Sequence, residues 1–349
     1  MTVGLDLGDR RSRYCVRGPE KIVEQGSMTM SPGGLQRSLK RLVARGAERL
    51  VLEAGSQSAL VSRVASEEGL EVVVANPRRL RLITHDVCKT DQRDARILAE
   101  LGQVRPELLS PVEHRGAQAQ RDLMVVRVRA NHVEGRTALV NEVRQRLKSL
   151  GVRLPGCSPE AFPKKAMPLI PADLRCILEG TLSVIAHHTS EIRRLDKMIE
   201  ELSRERHPET RLLRQVQGVG PITALTFVLT LESPERIDKT RNVAAYLGLV
   251  PRRRQSGDSD PELHITKTGD QALRSLLVNC AHYILGPFGQ DSDLRRHGLR
   301  IAGTGARTAK KRAVVAVARK LSVLLLSLWR TGEVYEPLRS SKRLEQQAV

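Results

Sequence analysis

Five short apolar runs occupy the first 77 residues, and what separates them changes after the third. Residues 2–7 (TVGLDL), 12–17 (SRYCVR) and 20–25 (EKIVEQ) follow one another through connections of a few residues, as an antiparallel meander does. The later runs, 49–55 (RLVLEAG) and 71–77 (EVVVANP), alternate with segments of helical spacing, LQRSLKRLVARG and SALVSRVASEEG. From Thr90 a further helix is expected, with Thr90 as N-cap and Ala95, Leu98, Ala99 and Leu101 as its apolar positions. Three strands followed by helix–strand–helix–strand–helix is the order of an RNase H-like sheet, so residues 1–110 read as an α/β domain.

The next segment, 111–207, is rich in Arg, Glu, Gln, Leu and Val at helical spacing. It predicts two long helices, about 113–150 and 170–206, joined by the Gly/Pro-rich stretch GVRLPGCSPEAFP: a helical, coiled-coil spacer. Residues 208–335 read as a mostly α-helical C-terminal domain, with 336–349 a flexible tail. Within it, LLRQVQGVGPITALTFVLTL predicts helix, G-V-G-P hairpin, helix. Glycine amides and a helix N-terminus facing a phosphate are the basis of a helix-hairpin-helix-like element; a plain αα-hairpin is the alternative.

Charge bears on partners. Lysine and arginine number 58 against 39 acidic residues, a formal charge of +19, which points to a polyanion. With aromatics at 2%, readers that stack bases on aromatic platforms are excluded, and binding should run through phosphates. Ten Lys/Arg and no acid fall between 294 and 332, Lys310, Lys311 and Arg312 among them; a run this one-sided reads as a phosphate-tracking surface. The five cysteines are scattered, a reduced cytosolic pattern, and charge follows the N-terminal apolar run instead of preceding it. The most apolar late stretch is broken by Arg319 and Lys320, so no membrane span is expected and a cytoplasmic, nucleoid-associated protein is.

Two segments carry candidate chemistry. Asp6 lies in the first strand, Glu53 at the end of a later one, and Asp91 and Asp94 open a helix at a spacing that shares one face. Four carboxylates converging at the end of a sheet can hold two Mg²⁺ ions about 3.5–4 Å apart. Asp91 and Asp94 could also be helix-start acids favoured by the dipole, whereas acids inside apolar strands are uncommon without a partner. The GLDLG run also looks like the first phosphate loop of the actin-like ATPases, but no second Asp-Gly loop or adenosine motif follows. The other segment is 246–277, where Ser256 sits in an R-R-R-Q-S-G turn. Arg252, Arg253 and Arg254 beside that hydroxyl would bind a scissile phosphate, with Lys267 a further nucleic-acid contact; an ordinary polar turn is the alternative.

In this order GLDLG, LVLEAG with EVVVANP, KTDQRDA, the spacer, QGVGPITA and YLGLVP…QSG…ITKTGD…LR resemble the DEDD transposases over about residues 1–285. This is the Piv/MooV family of insertion-sequence recombinases, which includes the bridge-RNA-guided recombinases. The resemblance implies a RuvC-like N-terminal domain whose metal-binding tetrad falls on Asp6, Glu53, Asp91 and Asp94. It implies a serine nucleophile at Ser256, giving a phosphoserine-linked DNA strand. The family's fuller S-S/T-G-G turn makes Ser259 the alternative. It also implies a homo-oligomer, dimer or tetramer, whose chains complete one another's sites, double-stranded donor and target DNA, and a structured guide RNA. The competing expectations are a metal-dependent junction nuclease with Ser256 merely structural, and a silent DNA-binding protein.

Overall fold

The expected meander forms in the computed structural model, which describes residues 1–78, 90–257, 259–261 and 263–339. Strands β1 (Thr2–Asp6), β2 (Arg11–Arg17) and β3 (Ile22–Thr29) pair antiparallel in sequence, while β4 (Arg49–Glu53) and β5 (Glu71–Ala75) run parallel to β1. The sheet order is β3-β2-β1-β4-β5. Strand β3 runs past the expected end at Gln25, because its pairing with β2 continues to Arg11↔Thr29. Gly26 looks like a strand terminator in the sequence, yet it makes room for a neighbour: a Cβ there would stand 2.6 Å from the Tyr14 hydroxyl.

Alternation along β1 and β4 gives the sheet two apolar faces, as strands buried on both sides require. Val3, Leu5, Leu50 and Leu52 pack on one face against Leu35, Leu39, Val61 and Ala65 of α1 (Pro32–Ala44) and α2 (Ser58–Glu67). The other face is covered by α3 (Asp91–Val104), whose Ala95, Ala99 and Leu98 meet Cys15, Val51 and Val73. Thr90 caps α3 as expected, its hydroxyl accepting the Arg93 N–H at 3.3 Å.

Residues Met1–Arg115 form one compact unit and Gly116–Val349 a second. In the second, α4 (Ala117–Ser149) and α6 (Ala172–Glu205) lie antiparallel, joined through a segment that includes the short α5 (Phe162–Ala166). Val140, Val143 and Leu147 face Leu178, Leu182 and Ile185 near the loop. Arg129 bonds Asp196 across the pair at 2.8 Å, and Ala119 and Leu123 pack with Ile199 at the other end.

The stretch expected as helix–hairpin–helix contains a single five-residue helical turn, α7 (Thr210–Arg214), a bend through Gly218 at φ +89°, and α8 (Pro221–Leu231). Every position of α8 from Thr223 onward is buried, so this helix is built into the core. Around it pack α9 (Val243–Tyr246), α10 (Gln271–Leu285), α11 (Asp293–Ala302) and α12 (Ala309–Thr331), through Phe227, Leu247, Leu277, Leu294 and Leu321 among others. Among the described residues no helix is long and apolar enough to cross a membrane.

Candidate active site

The four acids of the first unit lie at one end and on one face of the sheet. Asp6 ends β1 and Glu53 ends β4, with Leu5 beside Leu52 in the parallel ladder. Side chains two apart on a strand share a face. Gly4 faces α3, since a Cβ there would meet Ala95 O at 2.0 Å, and Asp6 therefore points to the same side. Val51 also faces α3, standing 2.2 Å from where a Gly102 Cβ would be, which puts Glu53 on that side too.

Helix α3 runs against β1. Near its start, Gln92 Nε2 donates to Tyr14 O at 3.4 Å, and Tyr14 pairs with Leu5 near the end of β1. Near its finish, Arg49 Nη1 donates to Gly102 O at 2.7 Å, and Arg49 pairs with Thr2 where β1 begins. Asp91 and Asp94 thus open α3 at the same end of the sheet as Asp6 and Glu53. They belong to the stripe that Ala95, Leu98 and Ala99 continue inward. Asp6, Glu53 and Asp94 are half-buried and Asp91 is exposed. Among the described residues no three His, Cys, Asp or Glu side chains stand close enough to enclose a metal ion.

In the second unit the predicted turn is the tip of a narrow β-ribbon. At its base Thr266 N–H donates to Val250 O at 2.9 Å, and Arg252 N–H donates to His264 O at 3.0 Å. At its tip Ser256 and Ser259 exchange both backbone bonds, 3.0 and 3.1 Å, and Gly257 takes φ +55°. The nucleophile candidate and its alternative are therefore a directly opposed cross-strand pair, both exposed. Arg253 pairs with Asp260 across the ribbon at 3.0 Å.

Between the ribbon and α12 lies an open groove of about 1670 Å³. Its floor is apolar, with Leu249, Val250, Val323 and Leu324. Its walls carry Arg252, Arg253 and Lys267 from the ribbon side and Lys311, Arg312, Arg319 and Lys320 from α12, against Asp260, Asp293 and Glu336. Arg254 and Lys310, expected among the contacts, do not line it. The ten-cation run also needs correcting as a single surface. Arg295 Nη1 donates to Ile284 O at 2.6 Å and Gly286 O at 2.7 Å, closing the end of α10. Arg330 donates to Pro234 O at 2.7 Å and to Ile237 O, and Arg296 pairs with Asp291. Main-chain carbonyls outside the run hold Arg295 and Arg330, and an acid just outside it pairs Arg296 at the surface.

Sequence reasoning passed over His297, which lines the groove. Burial first, then Lys320 and Arg300, pushes its pKa down, which favours the uncharged form of the imidazole. Its place three residues after the buried Leu294 on α11 was the available clue.

These two sites sit within segments that match known protein families. Residues 3–151 match the DEDD model described as a transposase, and residues 210–291 match the model of the transposase IS116/IS110/IS902 family. A probable family 20 transposase of Pseudomonas aeruginosa is 30% identical over 259 residues, 71% of this chain and 74% of the relative. The transposase for insertion sequence element IS1111A of Coxiella burnetii is 27% identical over 71% of this chain and 68% of its own length. A pilin gene-inverting protein of Moraxella bovis is 26% identical over 44% of this chain and 47% of its own. The class is that of insertion-sequence transposases, enzymes of DNA recombination. Within it, the chain belongs to the IS116/IS110/IS902 family of DEDD transposases.

Proposed function

We propose that this transposase cuts and rejoins double-stranded DNA through a transient Ser256–phosphate ester, assisted by Mg²⁺ at the edge that carries Asp6, Glu53, Asp91 and Asp94. The observation that carries the reading is the common end and face of those four acids, inside the segment matched by the DEDD model. The sheet order, with β2 alone running opposite to the other four strands, supports an RNase H-like, RuvC-like domain over 1–110. Residues 111–207 then act as spacer, 208–335 as the domain bearing the serine, and 336–349 as a tail.

The residues fit the metal. Carboxylate oxygens are the hard donors Mg²⁺ prefers, and because Mg²⁺ keeps waters and substrate phosphates in its shell it needs only one or two of these carboxylates at a time. Bound there as a pair, the ions would stabilise the attacking and leaving oxygens of the displacement. Ser256 Oγ forms its bond to phosphorus as the bond to the departing deoxyribose oxygen breaks; the serine loses its proton and the departing oxygen gains one. The ester conserves the phosphodiester energy, so attack by a strand hydroxyl reseals the DNA without an outside energy source. Arg252 and Arg253 hold phosphate oxygens in the groove, and the turn at Gly218 adds a helix-hairpin-helix-like backbone contact.

Target choice belongs to a structured guide RNA, which accords with the lack of any helix-turn-helix or zinc-finger spacing in the sequence. A homo-oligomer completes each site from units of different copies. The test is a substrate that cannot religate. Active protein should become linked to DNA through Ser256; Ser256→Ala should lose link and cleavage while still binding, and Ser259→Ala should keep both. Cleavage to free ends without any protein–DNA link would assign the chain to the metal-dependent junction nucleases instead.

A further inference from the structure

Lys267 adopts a left-handed backbone conformation, φ +55°, that residues with side chains rarely take. Among the described residues, Ser110 and Glu232 share the sign, and both end helical turns. Lys267 ends no helix. It lies where the ribbon leaves its base and passes, backbone against backbone, over residues 246–248. A Cβ on Gly248 would stand 2.3 Å from Thr268 N, and one on Gly269 would stand 2.0 Å from Tyr246 O. Arg274 Nη1 fastens the crossing by donating to Leu247 O at 3.0 Å and Thr268 O at 2.7 Å. Gly248 and Gly269 take φ +68° and +70°, conformations that glycine adopts freely. At 267, where glycine would relieve the backbone in the same way, the chain carries lysine.

That lysine is exposed and lines the groove with Arg252 and Arg253. Among the described residues its ammonium has neither an ion pair nor a side-chain hydrogen bond. Strained backbone persists where surrounding structure dictates it and tends to collect at functional sites. The crossing supplies the dictate, and the groove supplies the use.

We propose that Lys267 is a positioning residue that holds one phosphate of duplex DNA at the base of the ribbon whose tip carries Ser256. This rests on the DNA-cutting reading above and adds to it the point at which the ribbon is seated on the backbone. A lysine kept for its charge at a backbone position suited to glycine makes stability and binding respond in opposite directions, which a structural lysine would not do.

The experiment measures binding of the full chain to a labelled duplex of random sequence across a KCl series, with Tm recorded alongside. Lys267→Gly should melt at or above the wild-type temperature, because glycine adopts the conformation freely. Its log–log salt slope should fall by about 0.9, and its affinity at 0.15 M salt by roughly five-fold, the loss of one phosphate contact. Lys267→Arg should keep the wild-type slope. A Lys267→Gly protein with unchanged slope and affinity, or with a lower Tm, overturns the assignment, as does a slope change seen on RNA and not on duplex DNA. If the wild-type chain shows no salt-dependent duplex binding, the DNA-cutting reading itself falls. Wild-type binding beside an unaltered variant removes only the role of Lys267.

Discussion

Gly4→Ala adds one methyl group to β1, in a place already taken by backbone. The new Cβ would stand 2.0 Å from Ala95 O and 2.4 Å from Ala99 N, where real Cβ atoms do not approach within 3.0 Å. A side chain could rotate away, but a helix backbone cannot, so α3 must lift from the sheet by about 1 Å. Overpacking of this kind costs about 1–3 kcal/mol. At roughly 4 °C per kcal/mol for a unit of this size, Tm of the first unit should fall by about 4–12 °C. The same lift carries Asp94, next to Ala95, away from Asp6 and Glu53, and a misplacement of about 1 Å in a reacting constellation costs on the order of 10²-fold in rate. Scanning calorimetry of the full chain and cleavage of a labelled duplex read the two effects. Gly55→Ala is the control, since nothing lies within 4 Å of its new Cβ. A Gly4→Ala protein that melts and cuts like wild type would mean that α3 does not rest on β1 at this point, and the argument for a shared acidic edge would fail with it.

Asp94→Asn should abolish strand cleavage with little change in DNA affinity, as checked by a cleavage assay beside a binding titration, because on the proposed reading it would remove a metal donor and no phosphate contact. Replacing Lys311, Arg319 and Lys320 together should lower the salt slope on duplex DNA by about 2.7, whereas Arg295→Met should lower Tm and leave the slope alone. Hydrogen bonds to Glu209 and Asp122 raise the His207 pKa above the ordinary value, against the opposing effect of burial. Its contribution is therefore fully present below about pH 6.5 and is lost as pH rises through the raised pKa, so His207→Gln should flatten the fall of Tm over that window.

How much of this the sequence discloses depends on how local each cause is. The apolar runs of β1, β2, β4 and β5 and the Thr90 cap are local patterns, and they appear where expected. Strand β3 continues through Gly26 because of Tyr14 on its neighbour, a cause outside its own segment. The acids could be named from their elements, while their common face follows only from Gly4 and Gly102 letting α3 lie flat on the strands. The excess of cations is plain in the composition, but which arginines are tied to main chain is decided by carbonyls at Ile284 and Gly286, at the end of the preceding helix, and at Pro234, 96 residues away. The opposition of Ser256 and Ser259 likewise depends on the ribbon closing, which a polar stretch of sequence does not announce.

Two separate bridges mark the ribbon, Pro251↔Ile265 at its base and Ser256↔Ser259 at its tip. Five residues separate the two bridges along one arm, a reach of at most about 17 Å, which on B-form DNA is the rise of about five base pairs. If Lys267 and Arg252 seat the backbone and Ser256 attacks it as proposed, the grip would lie up to that far from the bond being cut. The stretch shielded by the groove and the point of scission need not coincide on the DNA, and lengthening or shortening the ribbon would move one relative to the other without altering either.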